Sequence, residues 1–335
     1  MNTHSVKLNP QQCRNVGREI RRYRLRNDFY ARPFLSAPYD TELRYRMMFF
    51  AVAICHQTHT LHHPVLNLWG WDYLEHAFLE IAAKKPHLLD PAFLGRQQPD
   101  TLADMLSPWF AYDGNAQHCT LDRLDERTRL MIDASGFLTK HFNGKVSGLI
   151  LSTQQMLINN GKGLYEIMKN TEAFADPMQK KTTFLIKLLE EAGLLKIKDT
   201  ENFIPIMDYH MQRVLLRLGC VEIADDELYK KLVERKPLDS DTAVRSACID
   251  AFRIIAGESR YPVTKMNDFF WSLGRSCCNE TMLCSHGRCT KEPCTLTLIV
   301  NLKEHRQCIL QSVCKGAGDE KYRKLWQPIV ETHFY

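Results

Sequence analysis

No run of apolar residues in this chain approaches the ~18 that a membrane-crossing helix needs. The first residues also lack the apolar stretch of a secretory leader. A cytoplasmic chain without a membrane partner is therefore expected. Alternation of apolar and polar residues, the mark of a half-buried strand, is hard to find except near Leu296–Val300. That scarcity excludes a sheet-based architecture and leaves an all-α fold. There is no internal repeat and no low-complexity segment, which excludes a repeat array. No Cys-x-x-Cys pair occurs, so the usual knuckles of a zinc ribbon are missing.

What is present is ordinary in bulk. The chain has 335 residues, 44% of them hydrophobic and 25% charged, a composition typical of globular proteins. Its length is enough for two sub-domains with a real core. A net charge of +5 permits a polyanionic partner without demanding one. Twelve cysteines without a leader point to a reducing compartment and metal use, not a disulfide framework.

The cysteines are not evenly spread. Trp271-Ser-Leu-Gly-Arg275-Ser runs into Cys277 and Cys278, and Cys284, Cys289 and Cys294 follow. Counted from Cys278, the gaps are five, four and four residues. Ser285, His286, Gly287 and Pro293 make this stretch turn-rich. Thiolates at such spacing can converge on one centre. A 4Fe-4S cluster held by Cys278, Cys284, Cys289 and Cys294 is the first reading. Structural zinc, with His286 available as a ligand, is the second; disulfides or unligated thiols are the third. Cys277 is the alternative first ligand.

Along the chain, residues 12–27 predict an amphipathic helix with Val16, Ile20 and Tyr23 inward. Its Arg14, Arg18, Arg21, Arg22, Arg24 and Arg26 form either a solvated face or a phosphate contact. Residues 44–61 predict a buried helix through Met47–Ala53, followed by a surface loop holding His56, His59, His62 and His63. A third helix is expected from Trp69 to Ala83. Residues 84–120, broken by Pro86, Pro91, Pro99 and Pro108, are expected to be irregular. Helices are also predicted at 121–142, 149–158 and 163–169.

Two helix starts then carry chemistry. Asp176 and Pro177 suit the opening of a helix bearing Lys180 and Lys181 and ending at Gly193. A lysine in such a place is disfavoured as a cation, which can free its amine for nucleophilic work. The bland alternative is a pair of solvated lysines. Asp208, in Pro205-Ile-Met-Asp-Tyr-His210, caps a second helix with Met211, Val214, Leu215 and Leu218 inward and Gly219 at its end.

This order of lysine, aspartate and cysteine loop resembles the helix–hairpin–helix DNA glycosylases of the endonuclease III type. Asp208 in Met-Asp-Tyr-His is similar to that family's Val-Asp-Thr-His element. Gly274-Arg275 stands one residue before the cysteines, and Gln57 in Cys-His-Gln-Thr-His-Thr resembles the glutamine of the DNA-inserting loop. The resemblance covers roughly residues 45–295. The hairpin, Phe174-Ala-Asp-Pro-Met-Gln179, lacks the family's glycines. Together with Asp-Tyr, it looks closer to the archaeal 8-oxoguanine glycosylase branch and to queuosine-nucleotide salvage hydrolases.

The resemblance implies a two-lobed helical fold: a lobe of 46–200, a second lobe of 1–45 with 201–300 including the iron–sulfur loop 278–294, and a C-terminal extension 301–335. It implies a base-excision N-glycosylase, with or without AP-lyase activity, acting as a monomer on double-stranded DNA with a damaged base such as an oxidised purine. The base would be extruded into a pocket between the lobes. Asp208 would stabilise the sugar cation, and Lys180 or Lys181 would attack C1′. Gln57, Lys187 and Arg275 would contact the DNA or its bases. A nucleotide N-glycosidase of the salvage type, or a non-catalytic iron–sulfur protein that binds nucleic acid, are the other functions to weigh.

Overall fold

The structure is a computed structural model that describes residues 5–27, 31–289, 294–302 and 306–335. Pro293 of the cysteine loop lies outside the described residues. In chain order the elements are β1 (Val6–Leu8), α1 (Pro10–Ile20), α2 (Thr41–Ala53), β2 (His62–His63), β3 (Leu68–Trp69), α3 (Trp71–Lys84), α4 (Pro91–Leu94), α5 (Pro99–Leu106), α6 (Leu124–Phe142), α7 (Val146–Ser152) and α8 (Leu164–Met168). Then come α9 (Lys180–Glu191), α10 (Tyr209–Leu218), β4 (Val221–Ile223), α11 (Asp226–Val233), α12 (Thr242–Ser259), α13 (Val263–Arg275), α14 (Leu283–His286), α15 (Lys315–Gly318) and α16 (Glu320–Arg323). The chain is mainly helical. Among the described residues no helix is long and apolar enough to cross a membrane. Residues 84–120 are more regular than their prolines suggested, because Pro91 and Pro99 each open a short helix.

The chain divides into two compact units. One joins Met1–Ala31 to Ile204–Glu331, and the other joins Arg32–Phe203 to Thr332–Tyr335. Residues 301–331 thus belong to the first unit, and the last four to the second.

In the second unit, α2 is the central rod. Asp40 caps it, accepting from the Leu43 N–H at 3.0 Å. Met47 through Ala53 are fully buried, because α3, α6, α7 and α9 pack around them. The end of α2 needs partners for its carbonyls. Buried Arg127 of α6 supplies them, donating to the carbonyls of Ile54 and, at 2.9 Å, of His56. Its other nitrogens bond Asp122, so the buried guanidinium is fully engaged. The pull on the His56 carbonyl draws this loop inward. His56 and His63 are buried, and of the four histidines His59 is the exposed one, which corrects the expected surface loop.

In the first unit, β1 pairs antiparallel with β4, with Val6 opposite Ile223. Helix α1 lies on α12 so closely that a Cβ at Gly17 would stand 2.7 Å from Glu258 Cβ and 2.8 Å from the Ile255 carbonyl oxygen. It ends at Ile20, seven residues before the predicted end. Beyond it, tertiary bonds replace helical ones: Tyr261 donates to the Tyr23 carbonyl at 2.7 Å, Leu25 bridges to Val300, and the Arg26 N–H donates to Ile299 O at 2.7 Å. The predicted strand near Leu296–Val300 is a 3-10 turn over Thr295–Leu298, with only Val300 in a bridge.

Candidate metal centre and catalytic residues

Helix α13 delivers the chain to the cysteines. At its end both the Cys277 and Cys278 N–H groups turn back to the Leu273 carbonyl, at 2.9 and 2.8 Å. Two adjacent residues anchored to one carbonyl set their side chains in different directions. Cys277 goes with Cys289 and Cys294: the three sulfurs all lie within 4.8 Å of one another, and Cys277 Sγ is 3.7 Å from Cys294 Sγ. The stretch at Cys294 is pinned there because the Thr295 N–H donates to Ser276 Oγ at 3.0 Å and Thr295 Oγ1 to the Ser272 carbonyl at 3.2 Å. The Cys277 thiol, hydrogen-bonded to Cys294 and buried, is pushed well above the usual thiol range. A cation among the three sulfurs would reverse that, since metals bind the thiolate.

Three cysteines therefore stand close enough to bind a metal. The trio departs from the predicted set in its members: Cys277 stands where Cys278 was expected. Cys278 and Cys284 instead line a cavity beside Cys308 and Cys314. His286, the alternative zinc ligand, has Nδ1 3.1 Å from the Met282 carbonyl oxygen.

Asp208 caps α10, and its Oδ1 accepts from the Met211 N–H at 3.0 Å. It is 7% exposed. The residues before it are held firmly: the Ile206 N–H meets Asn267 Oδ1 at 3.3 Å, and the Met207 carbonyl accepts from Arg245 Nε at 3.1 Å. Behind Asp208, Gly274 of α13 lets the two helices touch; a Cβ there would lie 2.7 Å from the His210 carbonyl oxygen.

Arg213, on the same helix, links this corner to the cysteines. Its Nη2 donates to the Gly274 carbonyl at 2.7 Å and its Nε to the Cys278 carbonyl at 3.0 Å. One turn on, Arg217 Nη1 donates to the Cys278 and Asn279 carbonyls at 3.1 and 2.9 Å and stands 3.6 Å from Cys278 Sγ. Burial brings the Arg213 guanidinium down to about 10, with Cys278 acting in the opposite direction. The sequence reading missed both arginines.

The lysines belong to the other unit. Gln179, in a left-handed conformation, is the residue before α9, and Asp176 braces the turn by accepting from the Lys180 N–H at 2.8 Å. Lys180 Nζ lies 3.6 Å from Cys55 Sγ and over the Phe184 ring. Lys181 is fully buried. Its Nζ donates to the Ala53 carbonyl at 2.6 Å and stands 3.3 Å from His56 Nδ1. Burial brings its ammonium down to about 7. Burial also holds His56 far below the usual imidazole range, so its ring is neutral. His56 Nε2 is 3.3 Å from Glu126 Oε1, yet the contact lacks hydrogen-bond geometry.

The expected DNA contacts are placed as follows. Gln57 adopts a positive φ of 42° and accepts from Arg123 Nη2 at 3.0 Å. Lys187 is buried in α9. Arg275 is 9% exposed and stacks on Trp271 at 4.8 Å. No family model and no curated protein sequence matches this chain.

Proposed function

We propose that this chain is an N-glycosidase that releases a damaged base from double-stranded DNA, with Asp208 as the charged group at the sugar. The observation that carries the reading is the setting of Asp208. A carboxylate at a helix N-terminus is favoured in its ionised form, and here it is largely withdrawn from water within a well-braced corner. As the C1′–N bond breaks, its electron pair leaves with the base and positive charge grows at the sugar. A fixed, poorly hydrated carboxylate stabilises that charge. It can also take a proton from the water that adds to C1′.

The hydrolytic route stands ahead of a lyase route. A nucleophilic lysine must reach C1′, and Lys181 is fully buried with its Nζ turned to the Ala53 carbonyl at the end of α2. Lys180 is the candidate that remains for a Schiff base.

The metal would serve the scaffold. Two thiolates sharing one tetrahedral zinc-like ion stand about 3.8 Å apart, given metal–sulfur bonds of ~2.3 Å. The Cys277–Cys294 separation of 3.7 Å fits that. We therefore assign the trio to a single ion, zinc by preference, which would steady the segment that Arg213 ties to the Asp208 helix.

The test is base release from a panel of damaged-base duplexes. Asparagine caps a helix about as well as aspartate, so Asp208→Asn should keep its fold while base release falls by roughly a thousandfold or more. Borohydride trapping is run in parallel on Lys180→Gln and Lys181→Gln. An adduct lost only in Lys180→Gln would add the lyase step. Unchanged base release in Asp208→Asn would remove the reading.

A further inference from the structure

Cys55 and Lys180 meet inside the second unit, 125 residues apart in sequence. Cys55 follows the cap of α2, and its N–H donates to the Val52 carbonyl at 3.3 Å. Lys180 is the first residue of α9, set by the bond from its N–H to Asp176. Helices α2 and α9 pack on one another, which brings Lys180 Nζ to 3.6 Å from Cys55 Sγ. Each residue is 7% exposed. A buried ammonium is costly unless a carboxylate or several acceptors answer it. Among the described residues no carboxylate stands within ion-pair reach of Lys180 Nζ; its partners are the Cys55 sulfur and the Phe184 ring at 5.3 Å. Packing alone would be served by two apolar side chains here.

We propose that Cys55 and Lys180 form a peroxide-responsive modification site, in which oxidation joins Sγ to Nζ by a covalent sulfur–nitrogen bond. The proposal does not depend on the glycosidase reading. In the first step the Cys55 sulfur attacks hydrogen peroxide. The O–O bond breaks, an S–O bond forms, and the other oxygen leaves as water with the thiol's proton. Sulfur has then given up two electrons and the peroxide has gained them. In the second step the Lys180 ammonium releases a proton to water, and the free amine attacks the sulfenic sulfur. The S–N bond forms, the S–O bond breaks, and the oxygen leaves as a second water, taking another proton from the nitrogen. A sulfenic acid condenses even with a backbone nitrogen, and an amine is the stronger nucleophile.

The surroundings suit both steps. The flexible four-carbon stem of a lysine lets Nζ close the remaining distance by bond rotation. The small exposed edge of Cys55 admits an oxidant little larger than water and keeps bulky disulfides out. Arg127 acts electrostatically on the Cys55 sulfur, so negative charge growing on the departing peroxide oxygen has a positive partner. The neighbouring Lys181 turns its Nζ to the Ala53 carbonyl, which leaves Lys180 as the amine that bridges.

The test treats the full chain, freed of reductant, with a small excess of hydrogen peroxide. Remaining thiols are blocked and the digest is mapped by mass spectrometry. The expected product is a peptide joining Cys55 to Lys180, two hydrogen atoms lighter than its halves together, and returned to thiol and amine by a dithiol reductant. The bridge should be lost in Cys55→Ser. In Lys180→Arg, whose guanidinium is a poor nucleophile, Cys55 should stop at its oxyacids. Wild-type Cys55 carried through to sulfinic acid, or left as the thiol, without the bridge would overturn the proposal, as would a bridge from Cys55 to Lys181. Should the variants fail to fold, the wild-type protein supplies the control. In strong urea the same dose should give no bridge, because the pair no longer meets; equal bridging in urea would refute the geometry. Base release enters none of these readouts, so the outcome is independent of the fate of Asp208.

Discussion

Lys181 carries an energetic cost in this fold. Its ammonium is buried against the end of α2, and its folded value of about 7 lies below the ordinary 10.5. Between those two values the unfolded chain holds a proton that the folded chain has released. Stability therefore rises with pH across that window, and the burden of the buried charge is fully present below it. A shift of this size corresponds to roughly 3–5 kcal/mol at most. Lys181→Met keeps the length and removes the amine, at the cost of about 1 kcal/mol for the lost Ala53 bond. The variant should thus gain relative to wild type at pH 7 and lose that advantage by pH 10. Urea unfolding of both proteins at several pH values reads the difference directly, and a pH-independent difference would show that the amine is not desolvated as described. His56 acts in a lower window. Its neutral folded ring resists a proton that the unfolded chain accepts below about 6.5, so stability should fall as pH drops through that value.

At the scale of elements, the close approach of α10 and α13 fixes where Asp208 stands. Gly274→Ala would push a methyl to 2.7 Å from the His210 carbonyl oxygen, which is backbone and cannot swing aside. We expect a destabilisation of about 1–3 kcal/mol and a loss of base release beyond what the loss of folded protein explains. Gly257 in α12 is the control, since nothing lies within 4 Å of its added Cβ. Gly257→Ala should be neutral or stabilise by up to ~1 kcal/mol. Thermal melts of both variants alongside base release test the pair; equal effects would deny the contact its role. The start of α10 was legible because a capping residue has a local signal: Asp208 accepts from the N–H three residues on. The start of α2 was less legible, since Asp40 caps a helix that begins at Thr41, three residues ahead of the expected one. The pairing of β1 with β4 was not legible, because Val6 and Ile223 meet only through tertiary folding. The choice of Cys277 over Cys278 depends on one carbonyl, Leu273, taking two N–H groups. The sequence offers both cysteines as the first ligand, and spacing alone does not decide between them. Arg213 and Arg217 escaped notice because a buried arginine is recognised by the carbonyls it serves, and these come from distant segments.

For the whole molecule, the excess of five positive charges matters through where it is displayed. Arg18, Arg21, Arg22 and Arg24 are exposed at the end of α1 and just beyond it. Arg18 pairs with Glu258 and Arg22 with Glu19 at the surface. Such exposed pairs are worth little and yield to a stronger partner. A DNA phosphate is one, and each phosphate neutralised releases counterions, so the logarithm of affinity falls with the logarithm of salt by about 0.9 per contact. With about four such contacts, affinity for a damaged duplex should fall roughly a hundredfold between 50 and 200 mM salt. The double change Arg21→Gln, Arg24→Gln should lower that slope by up to about 1.8, with no loss of metal content. Fluorescence anisotropy over a salt series measures both slopes. An affinity insensitive to salt in the wild type would assign the same Asp208 chemistry to a free nucleotide, because a small substrate offers too few phosphates to make the slope steep.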